Sequence, residues 1–377
     1  MKINALSLSD YRNISSLFFE PSEGLNVIAG ENAQGKTNIL ESIYYLGIIS
    51  SFRGAKDAEL VKFGAPSASI EARAYSEERE KLLKISIPFA GRRQITVNGV
   101  KVTKKNDAAG IIRCVLFCPE DLSLVKQSPA LRRRFIDEAI SQLKPNYISY
   151  ISEYNKLLTN KNRILKDYHD NPRLLDTLDD FSAQLCRYGA YIIPYREAFC
   201  EKLSVFATNE HDKISSGREK LGLNYKTVST ITEPHLSQKE IYELLWKHYI
   251  SHKDAEIASG SCLSGPHKDD LEILIDSVPA KTFASQGQTR TAVLSLKLAQ
   301  RELFADSTGE YPILLFDDVL SELDARRQEY VLSGTGKGQV FITCCESDSN
   351  AMLSEMIQKN ENGAKLFHVK QGALVQE

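Results

Sequence analysis

An α/β fold interrupted by a mainly helical insertion is predicted by three observations. An apolar strand, Leu25 to Ala29, runs into a glycine-bounded loop and a helix that begins at Lys36. A second apolar strand, Ile313 to Phe316, ends in two aspartates. Between them, from Ser128 to about Phe206, apolar residues recur at helical rather than strand spacing. With 377 residues, 42% hydrophobic and 25% charged, the chain falls in the globular range and has room for two domains.

Two short strands, Ile3 to Leu8 and Leu17 to Phe19, precede the first buried strand. In the helix that follows, Ile39, Leu40, Ile43, Tyr44 and Leu46 form the apolar face, and Gly47 is expected to end it. From Ser69 to Val102 the pattern alternates, and Asn98-Gly99 between Val97 and Val100 predicts a hairpin, so a β-rich lobe is expected over about 65–118. Ser128-Pro129 supplies a helix cap with proline at the first helical position. Helices are expected from there, around Tyr150 to Leu165, and from Phe181 to Phe206; a strand at Leu223 to Val228 and a helix at Gln238 to His248 follow. Strands at Leu271 to Ile275 and Val340 to Thr343, with helices at Thr289 to Phe304 and Asn350 to Gln358, restore the α/β alternation. The expected organisation is one discontinuous domain, 1–118 and 258–377, around an insertion, 119–257.

Met1 to Asp10 lacks the basic and apolar regions of a signal peptide, and no apolar run approaches membrane-spanning length, so a cytoplasmic protein with no membrane partner is expected. The seven cysteines form no C-x-x-C pair and read as reduced structural thiols. His248 and His252 share a helical face without further ligands and read as polar surface. The net charge of −2 means that any contact with nucleic acid is local or assembled by oligomerisation.

Gly30-Glu31-Asn32-Ala33-Gln34-Gly35-Lys36-Thr37 matches G-x-x-x-x-G-K-[ST] in full, between a buried strand and a helix as that motif requires. Backbone N–H groups in such a loop wrap the phosphates of ATP, Lys36 reaches the β- and γ-phosphates, and Thr37 ligates Mg²⁺. Asp317, at the end of the acidic strand, is expected to hold Mg²⁺ through water, and Asp318 stands where a general base would activate the attacking water. Most ATPases of the ABC type carry Glu there; the shorter Asp predicts slow hydrolysis. Ser285-Gln286-Gly287-Gln288 opens a second helix and matches the S-x-G-Q signature that, in ABC-type ATPases, caps the γ-phosphate bound by another subunit. A head-to-tail dimer is therefore expected. Leu320-Ser321-Glu322-Leu323-Asp324 matches the S-x-L-D loop through which such subunits sense one another.

Most of the chain separates Lys36 from Asp317, more than a transporter ATPase subunit uses, and the insertion is too short for a long coiled coil. In this the chain resembles the RecF family of ABC/SMC-head-type P-loop ATPases. The resemblance extends to Asp10-Tyr11-Arg12-Asn13, Ser51-Phe52-Arg53-Gly54, Pro119-Glu120-Asp121-Leu122, Arg132-Arg133-Arg134-Phe135-Ile136-Asp137 and Ser264-Gly265-Pro266-His267-Lys268-Asp269-Asp270. It implies a weak, DNA-stimulated ATPase that dimerises on ATP, binds double-stranded DNA at gaps or junctions, and acts with RecO and RecR in loading RecA. It also implies nucleotide contacts from Arg12, Asn13 and Asn38 beside Gly30–Thr37, and from Ser285–Gln288 and Asp324. One departure stands out: Cys344-Cys345-Glu346-Ser347 contains no histidine of the kind transporter ATPases use as a γ-phosphate switch, and Thr343 is the candidate substitute.

For DNA, Arg92, Arg93, Lys101, Lys104 and Lys105 form the densest basic area, which a twofold dimer would double. Arg132 and Arg133 are further candidates, although consecutive helical residues point about 100° apart and pairs to Asp137 or Glu138 are the favoured reading for that trio. An ABC-type ATPase coupled to a non-DNA partner is the alternative. A transporter subunit would lack the insertion, and a small-molecule kinase would need an acceptor pocket.

Overall fold

The computed structural model describes residues 1–233, 235–319, 323–333, 337–345 and 363–375. The elements begin with β1 (Lys2–Tyr11), β2 (Ile14–Phe19), β3 (Leu25–Ala29), α1 (Lys36–Ile48), α2 (Asp57–Leu60), β4 (Ser67–Ser76), β5 (Arg79–Pro88), β6 (Gln94–Val97), β7 (Val100–Val102) and β8 (Cys114–Phe117). Next come α3 (Ser123–Lys126), α4 (Pro129–Leu143), α5 (Pro145–Asp167), α6 (Leu178–Ser215), β9 (Leu221–Lys226), α7 (Gln238–Ser259), β10 (Asp270–Ile275), β11 (Val278–Pro279) and α8 (Ala280–Phe283). The last are α9 (Gln286–Thr308), β12 (Ile313–Asp317), α10 (Ala325–Ser333), β13 (Val340–Cys344), β14 (Ala364–Lys370) and β15 (Ala373–Val375). The expected helix at Asn350 to Gln358 and the residues Leu320, Ser321 and Glu322 lie outside the described residues.

The chain divides into two units, Met1–Leu122 with Arg290–Glu377, and Ser123–Thr289. The expected boundary near 257 and the observed one at 289 differ because β10 pairs antiparallel with β9, which keeps 270–275 with the helices. Within the first unit, one six-stranded sheet has the order β15-β14-β3-β13-β12-β8. β14, β3, β13, β12 and β8 run parallel, and β3, β8, β12 and β13 are buried along their full length, as strands covered on both faces must be. The other sheet, β2-β1-β4-β5-β6-β7, alternates buried and exposed residues in β4, the signature of one covered face. β1 and β2 belong to this sheet, so the β-rich lobe begins near the start of the chain rather than at 65. Pairing between Leu6 and Ala72 is long-range and leaves no local mark in the sequence. The hairpin at Asn98-Gly99 forms as expected, with both residues at positive φ. α1 outlasts Gly47 by one residue, and Ile49 takes the left-handed cap while its N–H donates to the Tyr45 carbonyl.

The second unit packs α4, α5, α6 and α7 with a three-stranded sheet, β11-β10-β9. Beside its apolar clusters it buries a polar network. Arg196 on α6 is 2% exposed and donates to both oxygens of Asp137 on α4, at 2.8 and 2.9 Å, to the Pro266 carbonyl at 2.7 Å and to Asp269 at 2.9 Å. Tyr225 on β9 also donates to Asp269, and Tyr147 on α5 to Asp137. A second buried ion pair, Lys161 with Glu256 at 2.6 Å, has Lys161 over the Tyr249 ring, and Glu256 accepts the N–H groups of Leu263 and Ser264. The segment Ser264–Asp270 is therefore clamped from α4, α5, α6 and α7. Gly265, at φ 127°, is required there, because a Cβ would lie 2.4 Å from the Tyr154 hydroxyl. His248 is buried against Ser264 at 2.7 Å instead of lying on a polar surface.

His267 gives this network a measurable pH response. Its Nε2 donates to the Cys262 carbonyl at 3.0 Å, leaving Nδ1 to accept from Tyr154 at 2.6 Å, and burial lowers its pKa to about 4. The unfolded chain takes up this proton near pH 6.5 and the folded one does not. Stability from this group is complete above about pH 6.5 and falls as pH drops toward 4, by up to about 3 kcal/mol. Urea melts at pH 7.5 and pH 5 should show a smaller acid loss in His267→Asn than in the wild type. The comparison isolates His267 from Asp269, whose carboxyl burial lifts to about 6 and which acts in the opposite sense. An equal acid loss in both proteins would exclude His267 as the source.

Candidate functional site

The loop from Gly30 to Gly35 follows the C-terminal end of β3, and α1 starts on Lys36. Gly30 is dictated by the approach of β14, since a Cβ there would sit 2.5 Å from the Val369 carbonyl oxygen. Gly35, at φ 113°, faces the Asn13 side chain, 2.9 Å from where its Cβ would be. Lys36 is buried and donates across the loop to the carbonyls of Gly30 and Glu31, at 2.6 and 2.8 Å. Glu31, Asn32 and Ala33 at the crest are exposed, with Ala33 at φ 62°. From the other side, Gln34 is held by the β14–β15 turn: its Oε1 accepts from Gln371 N and its carbonyl from Gly372 N, at 2.6 and 2.8 Å. Asn13 donates to the same carbonyl at 3.2 Å and accepts from Asn38 at 2.8 Å.

The strand order sets the rest of the site. β13 lies between β3 and β12, in parallel register, so the ends of all three strands meet at the head of α1. Thr37 Oγ1 donates to Asp317 Oδ1 at 2.8 Å, across 280 residues of sequence. Thr343, opposite Asp317 on β13, donates to the same oxygen at 3.0 Å. Burial raises the Asp317 carboxyl, against the lowering effect of those two hydroxyls. Asp318 turns out of the strand at φ 55°, is exposed, and gives its N–H to Thr343 Oγ1 at 3.0 Å.

Arg12 is held by Glu41 and by the backbone of α2. Nε and Nη2 pair with Glu41 at 2.9 and 2.8 Å and Nη1 donates to the Glu59 carbonyl at 3.1 Å. Glu41 lies fully buried in α1; burial alone would push its carboxyl up, but hydrogen bonds from Arg12 and Ser51 leave it below the ordinary value. Arg12 thus ties the β1–β2 turn to α1, and Asn13 is the residue of that pair that touches the loop. Sequence reasoning missed Glu41, whose only signal was a charge on the apolar side of a helix, and the turn at Gln371-Gly372.

Ser285 caps α9 reciprocally: its Oγ accepts from Gln288 N at 3.2 Å, and Gln288 Oε1 accepts from Ser285 N at 2.9 Å. The exposed head of this helix presents Ser285 and Gln286, with Gly287 half-buried. Asp324 caps α10 through Arg327 N at 3.0 Å, a bond that with the Arg327 charge lowers its carboxyl. Of the basic candidates, Arg92, Lys101 and Lys104 are exposed, while Arg93 pairs with Asp57 at 2.9 Å. Arg132 departs from the surface position expected of it. It is 4% exposed and forms a two-point ion pair with Asp270, at 2.6 and 3.0 Å, so it is not on a solvated face. Arg133 donates to the Asp269 carbonyl at 2.7 Å, and only Arg134 makes the expected intrahelical pair, with Glu138 at 2.8 Å.

The family model described as RecF/RecN/SMC N terminal domain matches residues 2–373. A protein of Clostridium novyi (strain NT) named DNA replication and repair protein RecF is 40% identical over 376 residues, all of both chains. This chain belongs to the RecF family. A family member of the same name from Clostridium tetani is 37% identical over 377 residues, again covering both chains completely. A solved structure described as the recombination mediator protein RecF with ATPrS in the RecFOR pathway superposes with a TM-score of 0.89 at 33% identity, over 99% of this chain and 97% of that one. An Smc head domain from Pyrococcus furiosus shares the fold, with a TM-score of 0.55 at 18% identity over 99% of this chain and 94% of that one. The α/β P-loop architecture of the RecF family and SMC heads is thus the architecture here. Among the described residues no helix is long and apolar enough to cross a membrane.

Proposed function

We propose that the chain is an ATP-driven clamp of recombinational repair and replication restart. It binds ATP, pairs head to tail with a second copy, closes on double-stranded DNA beside single-strand gaps or junctions, and acts in the cytoplasm with RecO and RecR in loading RecA. The carrying observation is the 2.8 Å bond from Thr37 to Asp317, which joins phosphate loop and acidic strand in a chain matched end to end by relatives named for DNA replication and repair. A RecF structure described with ATP, 34% identical with a TM-score of 0.85, over 100% of this chain and 99% of that one, supports the choice of nucleotide.

In this reading Gly30–Thr37 and the head of α1 bind the phosphates, with Lys36 supplying the side-chain charge. Thr37 and Asp317 offer the hard oxygen donors that suit Mg²⁺, Asp317 acting through water. When bound, that ion neutralises charge on the β- and γ-phosphate oxygens. Asp318 is the general base, and its short side chain makes turnover slow until DNA stimulates it. Ser285 and Gly287 of the second copy complete the nucleotide site, and the Asp324 loop senses that copy. Arg92, Lys101 and Lys104, with Arg93, Lys105 and Arg133 as lesser candidates, supply the DNA contacts; Arg132 does not.

Fluorescence anisotropy on gapped duplex, blunt duplex and single strand, at one physiological salt with ATP, ADP or no nucleotide, tests the clamp. ATP-dependent preference for the gapped duplex is expected; nucleotide-independent or absent binding would leave a dimerising ATPase with a different, non-DNA partner. Ser285→Arg should abolish the mass increase that ATP produces in light scattering. An intact ATP-driven dimer in that variant would overturn the arrangement in trans.

A further inference from the structure

We infer that Thr343 is a positioning residue for ATP hydrolysis, holding the Asp317–Asp318 turn so that Asp318 faces the attacking water; this rests on the nucleotide reading above. β13 is the strand between the phosphate-loop strand and the acidic strand, and its register sets Thr343 directly beside Asp317. A hydroxyl has one proton to give and two lone pairs to receive with. Of its two acceptors, Asp317 Oδ1 at 3.0 Å and the Phe316 carbonyl at 3.4 Å, Thr343 gives its proton to the nearer, and it receives the Asp318 N–H at 3.0 Å. One side chain thus fixes both acidic residues, and it does so on the oxygen that Thr37 also contacts, at 2.8 Å.

The Asp318 backbone explains why such a clip is needed. At φ 55° it occupies the left-handed region, which costs a non-glycine residue energy and persists only where its surroundings hold it. The turn swings the Asp318 side chain off the line of β12, and the acceptor holding its N–H in that turn is Thr343 Oγ1. In the reaction, the water oxygen forms a bond to the γ-phosphorus as the bond to the β–γ bridging oxygen breaks; Asp318 takes the water proton, and ADP and phosphate leave. Thr343 touches none of the reacting atoms. It acts through the placement of Asp318, where an error of about 1 Å costs about 100-fold in rate. This is a different device from a histidine reaching the phosphate: the chain has a hydroxyl one strand over that acts on the base.

The test is Thr343→Val, which keeps the β-branched shape and removes the hydroxyl, and Thr343→Ser, which restores it. Thr343→Val should bind a fluorescent ATP analogue within about 3-fold of wild type while kcat falls about 100-fold and the ATP-bound dimer outlives that of the wild type. Thr343→Ser should recover most of the rate. On an Asp318→Asn background, Thr343→Val should slow turnover no further, since the residue it positions is already disabled. Wild-type turnover in Thr343→Val overturns the proposal. So does a parallel loss of rate, ATP affinity and melting temperature that Thr343→Ser fails to rescue, or an additive loss in the double variant. A wild-type protein that binds ATP without turning it over overturns the ATPase reading itself, and this proposal with it.

Discussion

Lys36→Met and Asp318→Asn are both expected to stop ATP turnover, the first with loss of the ATP-bound dimer and the second with its accumulation. Lys36 is buried, with its ammonium held at 2.6 and 2.8 Å by the Gly30 and Glu31 carbonyls. Methionine keeps the length of the stem and removes the charge. The loop then carries no side-chain cation to offset the phosphates, so ATP affinity, ATP-driven dimerisation and turnover should all be lost, turnover by more than about 100-fold. Asp318→Asn is nearly isosteric, and asparagine tolerates the left-handed backbone at φ 55°, so the Thr343 clip and the loop survive. Removing the base should lower hydrolysis by about 100- to 10,000-fold. Binding is untouched, so the ATP dimer should accumulate. Light scattering with ATP and a phosphate-release assay read both variants. Equal loss of dimer in the two would show that Asp318 does not serve as the base.

The parts of this site that were legible in the sequence are those whose geometry is local. Gly30–Thr37 follows its strand and leads its helix within a few residues, and an apolar strand ending in aspartates carries its own meaning. The capping box at Ser285 and Gln288 is likewise a four-residue pattern. What stayed hidden is what distant segments do to those motifs. Nothing in 364–375 announces that a hairpin turn will hold the Gln34 carbonyl, yet Gly30 is a glycine because β14 passes 2.5 Å from where its Cβ would be. Arg132 and Arg133 look like surface charges because charge in a helix reads as surface. Their partners, Asp270 and the Asp269 carbonyl, lie more than 130 residues away and are invisible to periodicity. The same holds for β1 and β2, whose alternation marks them as strands but carries no sign of the sheet they join.

Arg196→Met should unfold the second unit under conditions where the wild type is stable. The guanidinium ties α6 to α4 through Asp137, to α5 through the Tyr147 hydroxyl at 3.2 Å, and to the segment before β10 through the Pro266 carbonyl and Asp269. Arg196 is 2% exposed and the Asp269 side chain is wholly out of solvent. Asp269, fully buried, and the half-buried Asp137 would lose the cation they share, with Arg133 the remaining nearby charge, and breaking a buried pair by removing one member costs about 3–5 kcal/mol. That is a large share of the stability of an ordinary domain. Arg196→Lys should recover little, because an ammonium cannot address Asp137 at two points and Asp269 and Pro266 at once. The triple change Arg196→Met, Asp137→Leu, Asp269→Leu removes the charges together and should regain part of the loss. Urea denaturation followed by tyrosine and tryptophan fluorescence gives the ordering. If Arg196→Met melts within about 1 kcal/mol of wild type, the network is not what holds Ser264–Asp270 in place.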